Sequence, residues 1–205
     1  MGFNRPLKKL SVLLGLERVL MSLELIVGPM FAGKSTEAVK WVRSLQAAKV
    51  PCFIITSHAD RRYDPHGESI CTHSGDRVSA VGLKSLTGIV NDPLLQAATY
   101  VLIEEAQFFP DLYEVVMDMV ENLKKKVLVF GLDGDSERKP FGQILDLIPK
   151  ADMYRKLTAI CRKCKDVVPA VFTKKIIYTG EGQVCIGGEA MYMAVCRMHY
   201  LEQDA

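Results

Sequence analysis

The sequence predicts an α/β protein: a mostly parallel sheet with flanking helices, followed by a small cysteine-bearing module. Three observations predict it. Short apolar runs alternate with helix-period segments as far as about residue 160. A glycine loop, Gly28-x4-Gly33-Lys34-Ser35, joins the first apolar run to the first helical pattern. Beyond Ile160 the texture changes to short strands, glycines and cysteines, with no long helical pattern.

Residues 1–22 carry Arg5, Lys8, Lys9 and Arg18 against one acid, Glu17, and read as an extension or fraying helix in preference to an organellar transit peptide. Pro6 stands where myristoylation after Met1-Gly2 wants Ser or Thr, and Met21 offers a second start just before the first strand. Residues 23–27 form a short buried strand ended by Gly28-Pro29. Residues 35–49 form a helix, with Ala38, Val42 and Leu45 on one face and Lys40 and Arg43 off it. Residues 51–56 are a second strand, and 57–80 a long polar loop holding His58, His66 and His73 as loop residues rather than metal ligands. Residues 99–103 are a third strand that runs into Glu104-Glu105. Pro110-Asp111 opens the next helix, with Glu114 placed for a capping box and Lys124, Lys125 and Lys126 at its negative end. Residues 127–132 and 156–160 complete the strands. The organisation expected is an extension over 1–22, a nucleotide-binding domain over 23–158 and a small metal-type domain over 159–205.

The chain has 205 residues, 49% of them hydrophobic, enough to bury a sizeable core. A net charge of +2 excludes a mainly electrostatic nucleic-acid binder. No run approaches the roughly 18 apolar residues of a membrane span. Six cysteines are too sparse for a disulfide scaffold, which favours a reducing compartment and a cytoplasmic location.

In a parallel sheet, a strand-to-helix loop lies at the ligand-binding edge. Its glycines let backbone N–H groups curl around phosphate oxygens, and the following helix adds its positive end. Lys34 supplies a charge to the β- and γ-phosphates, and the Ser35 hydroxyl can ligate Mg²⁺. A chance glycine turn would lack the preceding strand and following helix that frame this loop. Glu104 and Glu105 end a strand of the same sheet and face opposite ways, so one can hold Mg²⁺ while the other accepts a proton. Without the phosphate loop they would read as two solvated charges where a strand surfaces. Cys161-x2-Cys164 and Cys196-x2-His199 give the two close ligand pairs of a structural zinc site, with no open coordination position. The alternative is four unlinked side chains. Cys52, Cys71 and Cys185 lack such spacing.

Taken in order, "GPMFAGKST", "IEEAQFFPD", "LDGDSERKPFG", the Cys-x2-Cys pair, "IGGEAMY" and "CRMH" strongly resemble the cytosolic-type thymidine kinases, over about residues 23–200. The resemblance implies a RecA-like core, a zinc-bearing lid, a lasso loop over the nucleoside, and phosphoryl transfer from ATP to thymidine. On its motifs, Gly28, Pro29, Met30, Phe31, Ala32, Gly33, Lys34 and Ser35 hold the ATP phosphates, with Asp60, Arg61, Arg62, Glu104, Ala106 and Gln107 beside them. Lys34, Glu105 as base and Arg62 as charge neutraliser make up the implied catalytic set; Ser35 and Glu104 hold Mg²⁺. The implied nucleoside pocket comprises Met30, Phe108, Leu132, Ser136, Phe141, Thr173, Gln183, Val184, Cys185, Ile186, Gly187 and Tyr192. Glycine-rich backbone at Gly180, Gly182, Gly187 and Gly188 can approach a base edge closely. The chain departs from the family at Glu104, usually Asp; at Ala106, usually Gly; and at Ser136, often aromatic. The resemblance also implies a homo-oligomer, dimer or tetramer, and feedback by thymidine triphosphate. Three rivals stand beside it: another deoxynucleoside specificity, a zinc-ribbon ATPase acting on nucleic acid, and a non-catalytic nucleotide binder.

Overall fold

A computed structural model describes residues 21–59, 67–177 and 187–202. Its core is a six-stranded sheet built from β1 (Ser22–Val27), β2 (Cys52–Ser57), β5 (Val81–Leu83), β6 (Tyr100–Ile103), β7 (Lys126–Gly131) and β8 (Met153–Lys156). The order is β5-β2-β6-β7-β1-β8 and every pairing is parallel. All six strands therefore end at one edge.

Period-2 alternation divides the core between the two faces of the sheet. Leu23, Leu25, Val27, Val101, Ile103, Val127 and Val129 point one way. There they meet Leu95 of α2 (Pro93–Ala97), Leu112 and Val116 of α3 (Leu112–Met117), and Phe109. Ile26, Leu102, Leu128 and Phe130 point the other way, onto Ala38, Val39 and Val42 of α1 (Lys34–Ala47). Each large apolar side chain fully buried this way contributes about 1.5–3 kcal/mol before chain entropy is counted.

Four local expectations are corrected. The stretch 57–80 contains an antiparallel hairpin, β3 (Ser69–Cys71) with β4 (Arg77–Ser79), whose Ile70 and Val78 pack beside α1. The capping box of α3 does not form: the Asp111 carboxylate instead accepts from Ser85 Oγ, Thr87 Oγ1 and the Leu86 N–H. Of the three lysines, Lys124 bonds the Glu121 carbonyl, but Lys125 crosses to the Gln96 and Ala98 carbonyls at the end of α2, and Lys126 opens β7. The segment 156–160 is not one strand. β8 ends at Lys156, and β9 (Ala159–Ile160) pairs with β10 (Pro169–Ala170) outside the sheet.

The remaining described residues form the small module. β11 (Phe172–Lys175) pairs antiparallel with β12 (Tyr192–Val195), and α4 (Arg197–Leu201) follows. Its core of Ala159, Cys161, Ala170, Ala194, Val195 and Cys196 touches Phe31 and Ala32 of the glycine loop. Residues 1–20 of the expected extension lie outside the described residues.

Candidate active site

The glycine loop leaves β1 at the carboxyl edge of the sheet and turns directly into α1. Gly33 takes a left-handed conformation, φ 80°, at the helix start. A Cβ on Gly28 would sit 2.5 Å from the Leu157 carbonyl oxygen, so the loop passes too close to the strand-end backbone for any side chain there. Lys34 folds back and donates from Nζ to the Pro29 carbonyl at 2.8 Å. The Met30 N–H donates to Thr173 Oγ1 at 3.0 Å, tying the loop to β11 of the module.

Both strand-end acids are buried, at 5% and 7% exposure. Glu104 accepts from Ser35 Oγ at 2.7 Å and from Thr56 Oγ1 at 3.3 Å. The longer glutamate side chain thus reaches the Ser35 hydroxyl directly. Glu105 sits at φ 51°, a left-handed conformation that costs a residue with a Cβ about 1–2 kcal/mol. Gln107 holds it there. Its Nε2 donates to Glu105 Oε2, and its Oε1 accepts from the Leu132 N–H at 3.0 Å. Ala106 is fully buried beneath them.

Met30, Phe31, Gly33, Lys34, Ser35, Glu105 and Leu132 line one cavity of about 210 Å³. Phe108 meets Phe141 edge-on, with centroids 5.5 Å apart, while its neighbour Phe109 is committed to the core. Tyr192 is buried on β12. Ser136 contributes its carbonyl to Tyr200 Oη at 2.7 Å. Asp60, Arg61, Arg62, Gln183, Val184, Cys185 and Ile186 lie outside the described residues, whereas Gly187 is described.

Three contributors were missed. Thr56 is the penultimate residue of β2, and a parallel sheet puts the carboxyl ends of its strands at the ligand edge, where its hydroxyl meets Glu104. Cys71 and His73 line the cavity from the β3–β4 hairpin, inside the stretch expected as a loop. His73 Nε2 lies 2.8 Å from Glu189 Oε1, and this hydrogen bond and charge hold the imidazole pKa above its ordinary value. Arg162 shares Glu189 at 3.3 Å, so the hairpin and module meet over the cavity mouth.

Cys161, Cys164, Cys196 and His199 converge with all ligand atoms within 4.8 Å of one another. His199 Nδ1 is 3.3–3.4 Å from each sulfur, and Cys164 and Cys196 Sγ are 3.9 Å apart. A zinc tetrahedron with bonds of about 2.3 Å to sulfur and 2.0–2.1 Å to nitrogen has edges of roughly 3.5–3.8 Å, so the four residues fit a structural Zn²⁺ through Nδ1. Burial raises both Cys161 and Cys164, but backbone N–H groups of Cys196, Lys163 and Cys164 hold Cys161 down to about 6. Burial and the neighbouring thiols push Cys164 up to about 12. The metal-free cluster therefore keeps a proton that a dication displaces.

Sheet, loop and module together define a class, the P-loop α/β proteins that carry a Cys3His module beside the phosphate loop. Within that class, the family model for thymidine kinase matches residues 21–200. The chain is 39% identical over 181 residues to the cytosolic thymidine kinase of Homo sapiens, covering 88% of this chain and 74% of that protein. It is 40% identical over 181 residues to the thymidine kinase of Raccoon poxvirus and 39% identical over 180 residues to that of Vaccinia virus (strain Western Reserve). Each of these two alignments covers 88% of this chain and 97% of the viral protein. The chain belongs to the thymidine kinase family. No helix among the described residues is long and apolar enough to cross a membrane.

Proposed function

We propose that the protein transfers the γ-phosphoryl group of ATP to the 5′-hydroxyl of thymidine, giving thymidine monophosphate and ADP. One observation carries this reading. Buried Glu105, fixed in a strained conformation by Gln107, faces the same cavity as Lys34 and Ser35 of the phosphate loop.

Phosphoryl transfer needs positioning and charge stabilisation more than covalent chemistry. Loop N–H groups from Gly28 to Ser35 bind the phosphates, and Lys34 exchanges its Pro29 carbonyl for phosphate oxygens. Ser35 and Glu104 would hold Mg²⁺, which when bound neutralises charge on the β- and γ-phosphates. Glu105 orients the 5′-hydroxyl and accepts its proton. Met30, Leu132, Phe108, Phe141, Thr173 and Tyr192, with Ser136 at its rim, form the base pocket. The reading also assigns Gln183 to Gly187 to binding of the base, and Asp60, Arg61 and Arg62 to the ATP phosphates. The reading includes a homo-oligomer, dimer or tetramer, and feedback by thymidine triphosphate, as the resemblance implies; it also includes a cytoplasmic site of action, which similarity to the human relative named cytosolic supports.

Glu105→Gln is nearly isosteric but cannot take the proton. It lowers kcat by about 10²–10⁴ with ATP and thymidine binding largely kept. Glu104→Gln instead weakens the Mg²⁺ dependence. Unchanged kcat in Glu105→Gln with activity abolished in Glu104→Gln exchanges the two roles; unchanged turnover in both removes this edge from the reaction.

A further inference from the structure

The turn that follows β7 is fastened to the metal module from outside the site. Asp135 Oδ1 accepts from the N–H groups of Glu137 and Lys139 at 2.8 and 2.9 Å, and Gly134 bridges to Pro140, so residues 134–140 form one closed unit. Arg138 sits at φ 64°, left-handed backbone that disfavours any residue with a Cβ. Its guanidinium lies 4.4 Å from the Tyr200 ring centroid and 5.6 Å from that of Phe172. Those two rings meet at 55°, with centroids 5.3 Å apart. Tyr200 Oη donates to the Ser136 carbonyl. Tyr200 directly follows the ligand His199, and both lie on α4.

One flank of this unit reaches the cavity, and the other ends in an aromatic pair. On one side Leu132 lines the cavity and donates its N–H to Gln107, the residue that holds Glu105. On the other side Phe141 packs edge-on against Phe108.

We propose that Tyr200 is a positioning residue through which the metal-bearing helix sets the shape of the nucleoside-acceptor pocket. His199 would anchor α4 to bound zinc; Tyr200 on the same helix holds Ser136 by its hydroxyl and Arg138 by its ring. The strained turn keeps Leu132 and Phe141 at their places. The identity of the pocket rests on the function proposed above; the mechanical link does not.

Tyr200→Phe deletes the hydroxyl and keeps the ring, so the ring contacts with Phe172 and Arg138 and the fold survive. Steady-state kinetics, zinc content per chain and hydrogen exchange of peptides covering 132–141 are measured on the full-length protein. The expected result is a rise of about three- to tenfold in KM for thymidine, the scale of one lost hydrogen bond. KM for ATP and zinc content stay unchanged, and exchange at 132–141 becomes faster. Arg138→Met, which removes the charge and keeps the stem, gives the same pattern and is less than additive with Tyr200→Phe. Zinc removal from the wild type speeds exchange at 132–141 more than it does in Tyr200→Phe. Unchanged KM for thymidine with unchanged exchange overturns the proposal. So does an equal rise in both KM values with loss of zinc, which marks a merely structural ring. If thymidine is no substrate of the wild type, the exchange data still decide the link while the functional reading fails separately.

Discussion

Gly142→Ala tests whether Gln107 governs the geometry of Glu105. Gly142 sits at φ 61°, and a Cβ there would lie 2.2 Å from the Gln107 carbonyl oxygen. Non-bonded carbon and oxygen approach to about 3.3 Å, so the Gln107 backbone must retreat by roughly 1 Å. Its side chain spans Glu105 and the Leu132 N–H, and a shift of that size carries both. A misplacement of about 1 Å near a reacting group can cost on the order of 10² in rate. The variant is therefore expected to lose about 10- to 100-fold in kcat, with KM for ATP and zinc content little changed. Gly88→Ala is the control. It has φ 82° and nothing within 4 Å of the added methyl, so it pays only the left-handed backbone cost of about 1–2 kcal/mol. Stopped-flow or coupled assays of both variants, beside thermal melts, separate the effects. Equal kcat in the two variants, or full activity in Gly142→Ala, refutes the linkage through Gln107.

Lys34→Ala abolishes turnover while circular dichroism and zinc content stay as in the wild type, since the loop lies at the edge of the sheet, outside its core. Metal analysis finds about one zinc per chain, and Cys164→Ser loses it together with module order. Zinc uptake at neutral pH releases protons, because Cys164 is pushed up to about 12, and affinity falls as pH drops through the value near 6 of Cys161. Titration in weakly buffered solution with a competing chelator reads both. Asp111 is held below its ordinary range by the Leu86 N–H, Ser85 and Thr87, which overcome the desolvation that raises it. The folded pKa lies below the unfolded one, so its stabilisation is present above about pH 4 and fades as pH falls through the folded value. Asp111→Ala is expected to be about 1–3 kcal/mol less stable at pH 6 and to converge on the wild type in acid, by urea melts across pH.

Elements with a strong local signal were legible. Apolar runs bounded by turn residues place β1, β2, β6 and β7, and ligand pairs two residues apart place the Cys3His cluster. What escaped depends on distant partners. The β3–β4 strands are three residues each, with one buried apolar side chain apiece, too short to show a period. β8 is an edge strand exposed at every residue, so no apolar run marks it. Asp111 and Lys125 have the local pattern of a helix cap and a helix end. Each is drawn away by polar groups about 25 or more residues distant in the chain. Within the site, the motif named Glu105 and Gln107, but not the left-handed backbone of one or the bridging role of the other. Thr56 and Tyr200 are single ordinary residues whose partners come from other parts of the fold.

The most direct test of the central claim is a single assay of phosphoryl transfer from γ-labelled ATP, with Mg²⁺, to thymidine, deoxycytidine and deoxyuridine offered separately. The account predicts labelled thymidine 5′-monophosphate as the preferred product, formed by the wild type and strongly reduced in Glu105→Gln. Label released as free phosphate with no nucleoside product, or transferred to deoxycytidine in preference to thymidine, would contradict it.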